Sequence, residues 1–387
     1  MTLVSLQELL DLSDSGVWGD EDTENGVSVL RSTNFNNDGT LDFSNLTFRA
    51  IEERKREAKI IQEGDILLEK SGGGPRQPVG RVCLFRGHAL QHSFGNFIAR
   101  LRPKPDILSE FLFYFLWHFH AKGRTSHYQK QTTGIRNLET KRFLTIGVPV
   151  PPLPEQRRIV DLLSRAEGIV HLRREAEKKA AELIPALFLD MFGDPATNPK
   201  GWAVANFGDV GVLDRGKSRH RPRDAAALYG GPYPFIQTGD VANSGGRITQ
   251  HTATYSEAGL TQSKLWKAGT LCITIAANIA KTGVLTFDAC FPDSVVGFLP
   301  DSSVRTNFVQ AWLAFLQPTL ETNAPQAAQK NINLEILRNL PMIVPPLDLQ
   351  TEFENQCELV FGIQSQQSTA TAKAQATFDA LLAQTFS

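Results

Sequence analysis

Two short polar loops in the first half of the chain carry side chains suited to reading nucleic-acid bases. One is rich in glycine, which lets a backbone approach a ligand closely. The planar ends of Arg, Gln and Asn can each bond two atoms on a single base edge. The candidate residues are Ser71, Gly73, Arg76 and Gln77 in the glycine loop, and Arg136 and Asn137 in the second loop.

Basic residues concentrate around these two loops. Residues 70–142 contain thirteen Lys or Arg against three Asp or Glu, whereas acids predominate from 1 to 69. The net charge of −1 for the whole chain hides this contrast. A local excess of positive charge is the electrostatic signature of a phosphate-binding surface, although solvated surface charge gives the same pattern. The phosphate candidates are Lys70, Arg81, Arg124 and Lys130.

The second half of the chain carries a comparable set of polar and basic segments. A basic patch in both halves favours phosphate binding over scattered surface charge. Polar loops are often simple turns, so the prediction of DNA contact applies to the segments rather than to any one side chain. The candidates are Lys217, Arg219, Arg221 and Arg223 in one segment, Asn278 and Lys281 in another, and Gln329, Lys330 and Asn331 in a third.

Residues 211–218 also fit the spacing of a phosphate-cradling P-loop, with Lys217 and Ser218 at its end. A P-loop needs a buried strand before it and a helix after it, and the run of basic residues with Pro222 is unsuited to a helix. We therefore interpret it as a basic loop. The sequence otherwise shows no carboxylate–lysine cluster of a nuclease and no metal-ligand spacing. We expect a non-catalytic chain with no metal site.

A duplication organises the whole chain. Residues 151–156 read Pro-Pro-Leu-Pro-Glu-Gln, and residues 345–350 read Pro-Pro-Leu-Asp-Leu-Gln. Segments 151–193 and 345–387 align without a gap at an offset of 194 residues. Each copy places a long helical stretch after a globular part, so the sequence predicts two versions of one plan.

The globular parts are predicted to be mixed α/β domains with β-rich cores. Alternation and turn residues predict strands near 27–31, 65–69, 81–85 and 96–101, followed by an aromatic helix near 108–119. The second part repeats the order of these elements. The predicted domains are 1–150 and 194–344, with helices at 151–193 and 345–387.

The central helix is predicted to run from 155 to 184, which is roughly 45 Å, and to kink or end at Pro185 because proline lacks an amide donor. Its C-terminal counterpart has a weaker apolar seam, so antiparallel pairing would bury both seams in a pseudo-twofold arrangement. Two independent surface helices are the alternative. The predicted seam comprises Ile159, Leu162, Ala166, Ile169, Ala176, Ala180, Leu183 and Leu187.

Composition bounds the cellular setting. A chain of 387 residues that is 41% hydrophobic can bury two or three cores. The four cysteines form no CxxC pair and predict free thiols in a reducing compartment. The N-terminus lacks a basic region followed by an apolar run. These features predict a cytoplasmic protein without a membrane span.

Four features of the chain belong together: the entry sequence at 151–156, the long helix after it, the partial copy at 345–350 and the Glu-Gly-Asp-Ile-Leu-Leu element at 63–68. In these features the chain resembles the specificity subunit of type I restriction–modification systems. The resemblance covers nearly the whole chain. The second entry departs from the pattern at Asp348 and Leu349.

The resemblance implies two target-recognition domains that each read one half of a split, asymmetric site in double-stranded DNA, with the helices setting the unread gap. It also implies two methylase subunits and possibly motor-nuclease subunits as partners. Those partners would carry S-adenosylmethionine, ATP and Mg, leaving no cofactor in this chain. A P-loop NTPase and a coiled-coil scaffold that does not bind DNA are the alternatives. The expected methylase-docking residues are Glu155, Gln156, Arg157, Arg173 and Lys178.

Overall fold

A computed structural model describes residues 3–74, 77–132, 135–276, 278–323 and 332–386. The chain divides into two compact units. The first contains Met1–Arg174 and Ala370–Ser387, and the second contains Glu175–Thr369. Both units mix helix and sheet, and each contains part of two long helices, which confirms the predicted fold class.

The elements of the first unit are β1 Leu3–Ser5, β2 Leu10–Ser15, β3 Val27–Leu30, β4 Thr47–Arg49, α1 Glu53–Ala58, β5 Ile66–Glu69, β6 Ser71–Gly73, β7 Val82–Leu84, β8 His92–Phe94, β9 Ile98–Pro103, α2 Ser109–Ala121, β10 Gln129–Thr132, β11 Ile135–Leu138, α3 Thr140–Phe143 and β12 Gly147–Pro149. A four-stranded sheet has the order β2-β9-β5-β7, and its inner strand β5 is buried along its whole length. Three smaller sheets have the orders β4-β3-β8, β10-β11-β6 and β1-β12. Helix α2 packs on this core through aromatic side chains from Phe111 to Phe115.

After the long helix α4 Leu153–Phe192, the elements of the second half are β13 Ala203–Asn206, β14 Gly211–Arg215, β15 Tyr229–Phe235, α5 Thr238–Ala242, β16 Arg247–Ile248, β17 Ala253–Tyr255, α6 Glu257–Thr261, β18 Leu265–Trp266, β19 Leu271–Thr274, β20 Thr282–Leu285, β21 Ala289–Cys290, β22 Val295–Pro300, α7 Thr306–Asn323, α8 Leu334–Arg338, β23 Pro341–Val344 and α9 Leu347–Phe386. In the second unit a five-stranded sheet has the order β14-β22-β19-β20-β16, and two further sheets have the orders β17-β15-β21-β18 and β13-β23.

The strand orders show that the two units share one topology. The order β2-β9-β5-β7 in the first unit becomes β14-β22-β19-β20 in the second, and β4-β3-β8 becomes β17-β15-β21. In both units a two-stranded ribbon joins the first strand of the copy to the strand that enters the long helix, β1 with β12 and β13 with β23. The duplication inferred from the proline-rich entries therefore extends through both globular parts.

The two long helices, α4 and α9, are each 40 residues, which is roughly 60 Å. Helix α4 continues through Pro185 to Phe192, so the expectation that it would end or kink there is wrong about the end. Pro185 is exposed, so the carbonyl that loses its amide partner lies where solvent can satisfy it.

The long helices pack on each other inside both units. In the first unit the beginning of α4 shares a core with the end of α9, where Tyr114 of α2 also meets Phe378 at 6.2 Å between ring centroids. In the second unit the end of α4 meets the beginning of α9, with Phe188 and Phe353 rings 5.8 Å apart. The pairing is therefore antiparallel, and the alternative of two independent helices is wrong.

The predicted apolar seam of α4 is wrong in part. Ile159 and Ala180 are buried as predicted, whereas Leu162, Ile169 and Leu183 are 40%, 54% and 42% exposed. The helix instead buries the neighbouring positions Leu163, Val170, Phe188 and Phe192. Within the first unit an exposed apolar stripe remains on one face of α4, and its members are Leu162, Ile169 and Leu172.

Candidate nucleic-acid interface

The two loops proposed from sequence in the first unit lie side by side. Strand β11 pairs with β6, which places Arg136 opposite Gly73 and Asn137 opposite Ser71. The Ser71 hydroxyl donates to Oδ1 of Asn137 at 2.5 Å. The glycine loop and the second polar segment are thus joined into one surface by a short sheet.

Three predicted phosphate contacts in this unit keep their cationic ends near solvent. Lys130 is 72% exposed in its side chain and pairs with Glu139 at 2.5 Å. Arg124 is exposed and lies 5.9 Å above the Phe119 ring. The ammonium of Lys70 donates to Ser15 Oγ at 2.6 Å, and its partial burial, followed by the charge of Lys59, lowers its pKa.

Arg81 requires a correction, because its guanidinium is used inside the protein. It makes two hydrogen bonds to the Glu69 carboxylate at 2.8 and 2.9 Å. It also donates to the carbonyls of Phe35 and Ser32 at 2.8 and 2.9 Å. The guanidinium thus makes four hydrogen bonds to acceptors of its own unit, so Arg81 holds the loop region together.

Part of the positive charge around the loops is likewise internal. Arg100 is 1% exposed and binds the Asp14 carboxylate through two nitrogens at 3.0 and 2.8 Å. Arg102 binds Asp65 in the same manner at 2.7 and 2.8 Å. Acidic residues of the first 69 positions thus neutralise arginines that the count of charges had assigned to the surface.

Gln77 is exposed at the end of the glycine loop, next to Arg81. Gly73 is buried, and a Cβ there would come within 2.7 Å of the Gln77 carbonyl, so the chain needs glycine at that position. Four of the predicted contacts, Arg76, Gln329, Lys330 and Asn331, lie outside the residues that the structure describes.

The basic segment of the second unit is a loop held by its own contacts. Gln262 Oε1 accepts from the backbone amide of Arg219 at 2.6 Å, and Phe291 accepts from that of Lys217 at 3.0 Å. The Arg221 guanidinium donates to the Ser218 carbonyl at 2.7 Å. Arg223 is 48% exposed in its side chain and pairs with Asp293 at 2.8 Å.

The P-loop interpretation of residues 211–218 is not supported by this geometry. Gly211–Arg215 is strand β14, and the amide of Gly216 continues its pairing by donating to Val295. The next α-helix of the described chain is α5, which begins at Thr238. A phosphate-cradling loop needs a helix N-terminus directly after it, and none follows Ser218.

Asn278 and Lys281 occupy the place in the second unit that corresponds to the glycine loop. Both are exposed, and the Asn278 carbonyl accepts from the Thr274 hydroxyl and from the Lys281 amide. Just before them, the Ile275 amide donates to Ser294 and its carbonyl accepts from Ile332. Lys70 makes the equivalent pair of contacts in the first unit, to Phe97 and Leu138.

Gln156 also requires a correction, because it is 1% exposed and cannot be part of a docking surface. Its Oε1 accepts from the Leu108 amide at 2.9 Å, and its Nε2 donates to the carbonyls of Pro151 at 3.0 Å and Asp106 at 3.4 Å. The side chain ties the entry of α4 to the loop before α2.

Gln350 repeats this network in the second unit and is fully buried. Its Oε1 accepts from the Arg305 amide at 2.9 Å, and its Nε2 donates to Pro345 at 2.8 Å and Ser303 at 3.1 Å. The glutamine at the end of each proline-rich entry thus has a structural role. It anchors a long helix to its globular part.

The other predicted docking residues lie on exposed parts of α4. Glu155 pairs with Arg158 at 2.7 Å, and this hydrogen bond lowers the pKa of Glu155. Lys178 pairs with Glu175 at 2.9 Å. Arg157 and Arg173 are exposed as well. Sequence reasoning missed the exposed apolar stripe because it assigned Leu162 and Ile169 to the buried seam and did not consider Leu172.

The described residues contain no group of three or more His, Cys, Asp or Glu placed to hold a metal ion. The four cysteines, Cys83, Cys272, Cys290 and Cys357, are buried and unpaired. Burial raises the pKa of the Cys357 thiol to about 12, which keeps it protonated and unreactive. None of the described helices is both long and apolar enough to cross a membrane.

Known proteins resemble this chain over nearly its full length. Residues 4–182 and 199–353 match the family described as the type I restriction modification DNA specificity domain. The putative type I restriction enzyme MjaX specificity subunit of Methanocaldococcus jannaschii is 23% identical over 89% of this chain and 83% of its own length. The EcoKI specificity subunit of Escherichia coli K12 is 22% identical over 93% of this chain and 82% of its own.

Two solved structures share the fold. The S subunit of a type I restriction–modification system from M. genitalium gives a TM-score of 0.55 at 15% identity, covering 98% of this chain and 94% of that one. The second is a chain in a structure that concerns the complex assembly and conformational transition of the type I R-M system. It gives a TM-score of 0.57 at 19% identity, covering 100% of this chain and 97% of that one.

Proposed function

Because this chain belongs to the type I restriction–modification DNA specificity family, we propose that it is the sequence-reading subunit of such a complex and that each unit reads one half of a bipartite, asymmetric DNA site. The observation that carries the proposal is the repeated plan, in which an equivalent buried glutamine anchors each long helix to a recognition fold. Two diverged copies of one reader suit a site with two different halves.

The exposed cations support a division of labour on DNA. Lys130 and Arg124 in the first unit, and Arg219 with the half-buried Lys217 in the second, are suited to phosphates, which fix register without reading sequence. The glycine loop and the segment at Asn278 and Lys281 present amides and cations suited to base edges. The paired helices would set the number of unread base pairs between the halves.

Methylase subunits are the proposed partners of the long helices. Glu155, Arg157, Arg173 and Lys178 supply exposed charge on α4, and the apolar stripe supplies area that a partner helix could remove from water. Leu172 is 69% exposed and Leu359 of α9 is 72% exposed, so both side chains are accessible to a partner.

A specificity subunit directs the chemistry of other subunits, so this chain is a recognition component and not an enzyme. It binds double-stranded DNA and assembles with methylase and restriction subunits. In the proposed complex, S-adenosylmethionine for adenine N6 methylation belongs to the methylase, and ATP and Mg belong to the restriction subunit. We place the complex in the cytoplasm, where the host DNA lies.

The test is co-expression of this chain with the type I methylase encoded beside it, followed by long-read sequencing of modified bases in the host DNA. We expect one methylated motif made of two defined halves and a fixed gap, absent when the chain is omitted. A stable complex that methylates no bipartite motif would refute the proposal.

DNA binding itself separates this proposal from a scaffold that does not touch DNA. The purified complex should shift a duplex carrying the motif, with an affinity that falls as salt rises because cations on the protein displace counterions. Equal affinity for all duplexes, or none for any, would favour the scaffold.

A further inference from the structure

A polar cleft without net charge opens beside the glycine loop of the first unit. It encloses about 520 Å³. Its floor contains Glu69 and Arg81, which neutralise each other. Apart from Phe35 and the glycines, the uncharged residues around it have side chains that can donate or accept hydrogen bonds, and they are Ser32, Thr33, Asn36, Asn37 and Gln77. This chemistry differs from that of the cationic residues assigned to phosphates.

The floor of the cleft is rigid. Glu69 is 2% exposed, and Arg81 holds it through two hydrogen bonds. The same guanidinium fixes the segment from Ser32 to Phe35 through two backbone carbonyls. A site whose walls are already held in place can discriminate between ligands that differ by one hydrogen-bonding group.

Glycines form one wall of the cleft. Gly72 has φ +101°, a conformation that favours glycine, and Gly73 has no room for a Cβ. Gly74 is different, because a Cβ added there would meet no atom of the described residues within 4 Å, its chain neighbours apart. The side of the loop at Gly74 is therefore open to an approaching molecule.

The amide side chains at the rim offer complementary groups. Asn36 Nδ2 donates to Thr40 Oγ1 at 3.0 Å, which leaves its carbonyl oxygen as an acceptor. In the orientation that satisfies its neighbours, the Gln77 oxygen accepts from Arg81 at 2.8 Å, which leaves its nitrogen as a donor. Asn37 lies 3.2 Å from the same end of Gln77.

We propose that this cleft takes the edge of a DNA base, and that Asn36 and Asn37 join Gln77 in determining which base the first recognition domain accepts. The cleft thus offers a free acceptor on Asn36 and a free donor on Gln77, the two kinds of group that the major-groove edge of adenine needs, since that edge presents one donor and one acceptor. The inference rests on the proposed function and assigns the reading of one half-site to named side chains.

The test uses the assembled complex and begins with its methylated motif, found by sequencing host DNA. Failure to find a bipartite motif would count against the proposed function and not against the assignment of the cleft. Once the motif is known, binding is measured for duplexes in which each base pair of each half is changed in turn, with wild-type chain and with Asn37→Ala, Gln77→Ala and Gly74→Ala.

Asn37→Ala and Gln77→Ala should each reduce discrimination at one or two base pairs of one half-site by about 10- to 100-fold, the range for loss of a good base contact. Both variants should affect the same half, and the other half serves as an internal control. Asn25→Ala, which changes an exposed asparagine of the same unit outside the cleft, should change neither half.

Gly74→Ala keeps the proposal falsifiable if the other variants fail to assemble. The added methyl group meets only open space in the protein, so a weakened affinity for the cognate duplex with normal assembly would place DNA against this wall. Unchanged discrimination in all assembled variants, or a loss of equal size on every duplex, would overturn the assignment.

Discussion

Gln156 and Gln350 are the residues on which both copies of the plan depend. Each is buried, and each bonds one backbone amide and one carbonyl in the loop before an aromatic helix and one carbonyl of its own proline-rich entry. A buried amide side chain has both a donor and an acceptor, so glutamine can satisfy both kinds of backbone group at once. Few other side chains of this length can replace it.

Replacing Gln156 or Gln350 with alanine should destabilise the unit that contains it. The loss leaves buried backbone groups unpaired, at a cost of about 1–3 kcal/mol for each such group. Urea unfolding of the variants measures the change in free energy of unfolding. Gln366→Ala, at an exposed position of α9, is the matched control and should leave the midpoint unchanged.

His92 makes the first unit sensitive to acid. It is fully buried, with Nδ1 2.8 Å from Ser28 Oγ and Nε2 2.9 Å from Nδ1 of His88. Burial, and secondly the neighbouring His88, lower its pKa to about 4. The folded state therefore requires the neutral imidazole, whereas the unfolded chain binds a proton near the ordinary histidine pKa.

Stability of the first unit should consequently fall as the pH drops from about 6.5 towards 4, because protons bind more strongly to the unfolded chain in that range. The contribution of His92 is on the order of 2–3 kcal/mol. Unfolding measured between pH 4.5 and 7.5 should show a shallower slope for His92→Asn than for wild type. An identical slope in the two proteins would show that His92 is not responsible. His251→Asn provides a matched substitution at an exposed site.

At the scale of elements, each long helix has one face for the fold and another for solvent. On α4, Leu163 is fully buried in the core whereas Leu162 beside it is 40% exposed. Two adjacent leucines thus have different roles, because a step of one residue turns the side chain by about 100° around the helix axis. The exposed face is the part of α4 that a second protein can reach.

Changing the exposed stripe should separate assembly from folding. Ile169→Ser together with Leu172→Ser should leave unfolding almost unchanged and weaken methylase binding by at least tenfold, because the partner can no longer bury these side chains. Titration calorimetry or co-purification measures the effect. Leu163→Ala is the contrasting variant and should cost about 2–5 kcal/mol of stability. Undiminished methylase binding by the double variant would exclude this face as the docking surface.

At the scale of the whole molecule, the duplication gives one chain two readers and two helices. The long helices contribute to both units. The start of α4 packs with the end of α9 in the first unit, and the end of α4 packs with the start of α9 in the second. Any change in helix length must therefore be made in both helices at matching positions if the buried faces are to stay in register.

Insertion of seven helical residues after Arg174 and another seven after Thr369, at the boundary between the units, should lengthen the unread gap of the DNA site. Seven residues make about two turns and roughly 10 Å, which is about three base pairs at the spacing of duplex DNA. Sequencing of modified bases should return the same two halves with a wider gap. Methylation at the original spacing would refute a role of the helices in measuring the gap.

Local sequence determined the elements of this protein. The strand near 65–69, the aromatic helix near 108–119 and the two long helices were predicted from periodicity and turn residues, because those signals depend on neighbours in the chain. The repeated proline-rich entry also revealed the duplication without any structure. A recognition fold that occurs twice, followed each time by a long helix, was therefore readable from the residues alone.

Tertiary structure alone decided which of those residues are buried and which are exposed. Arg81 and Gln156 looked like surface contacts, but pairing with Glu69 and with backbone groups of the loop before α2 makes them interior. Asn36 and Asn37 were not among the predicted contacts, and folding places them around a cleft with Gln77. Charge and polarity are properties of a residue, whereas burial and partners depend on contacts between distant segments, which no local pattern records.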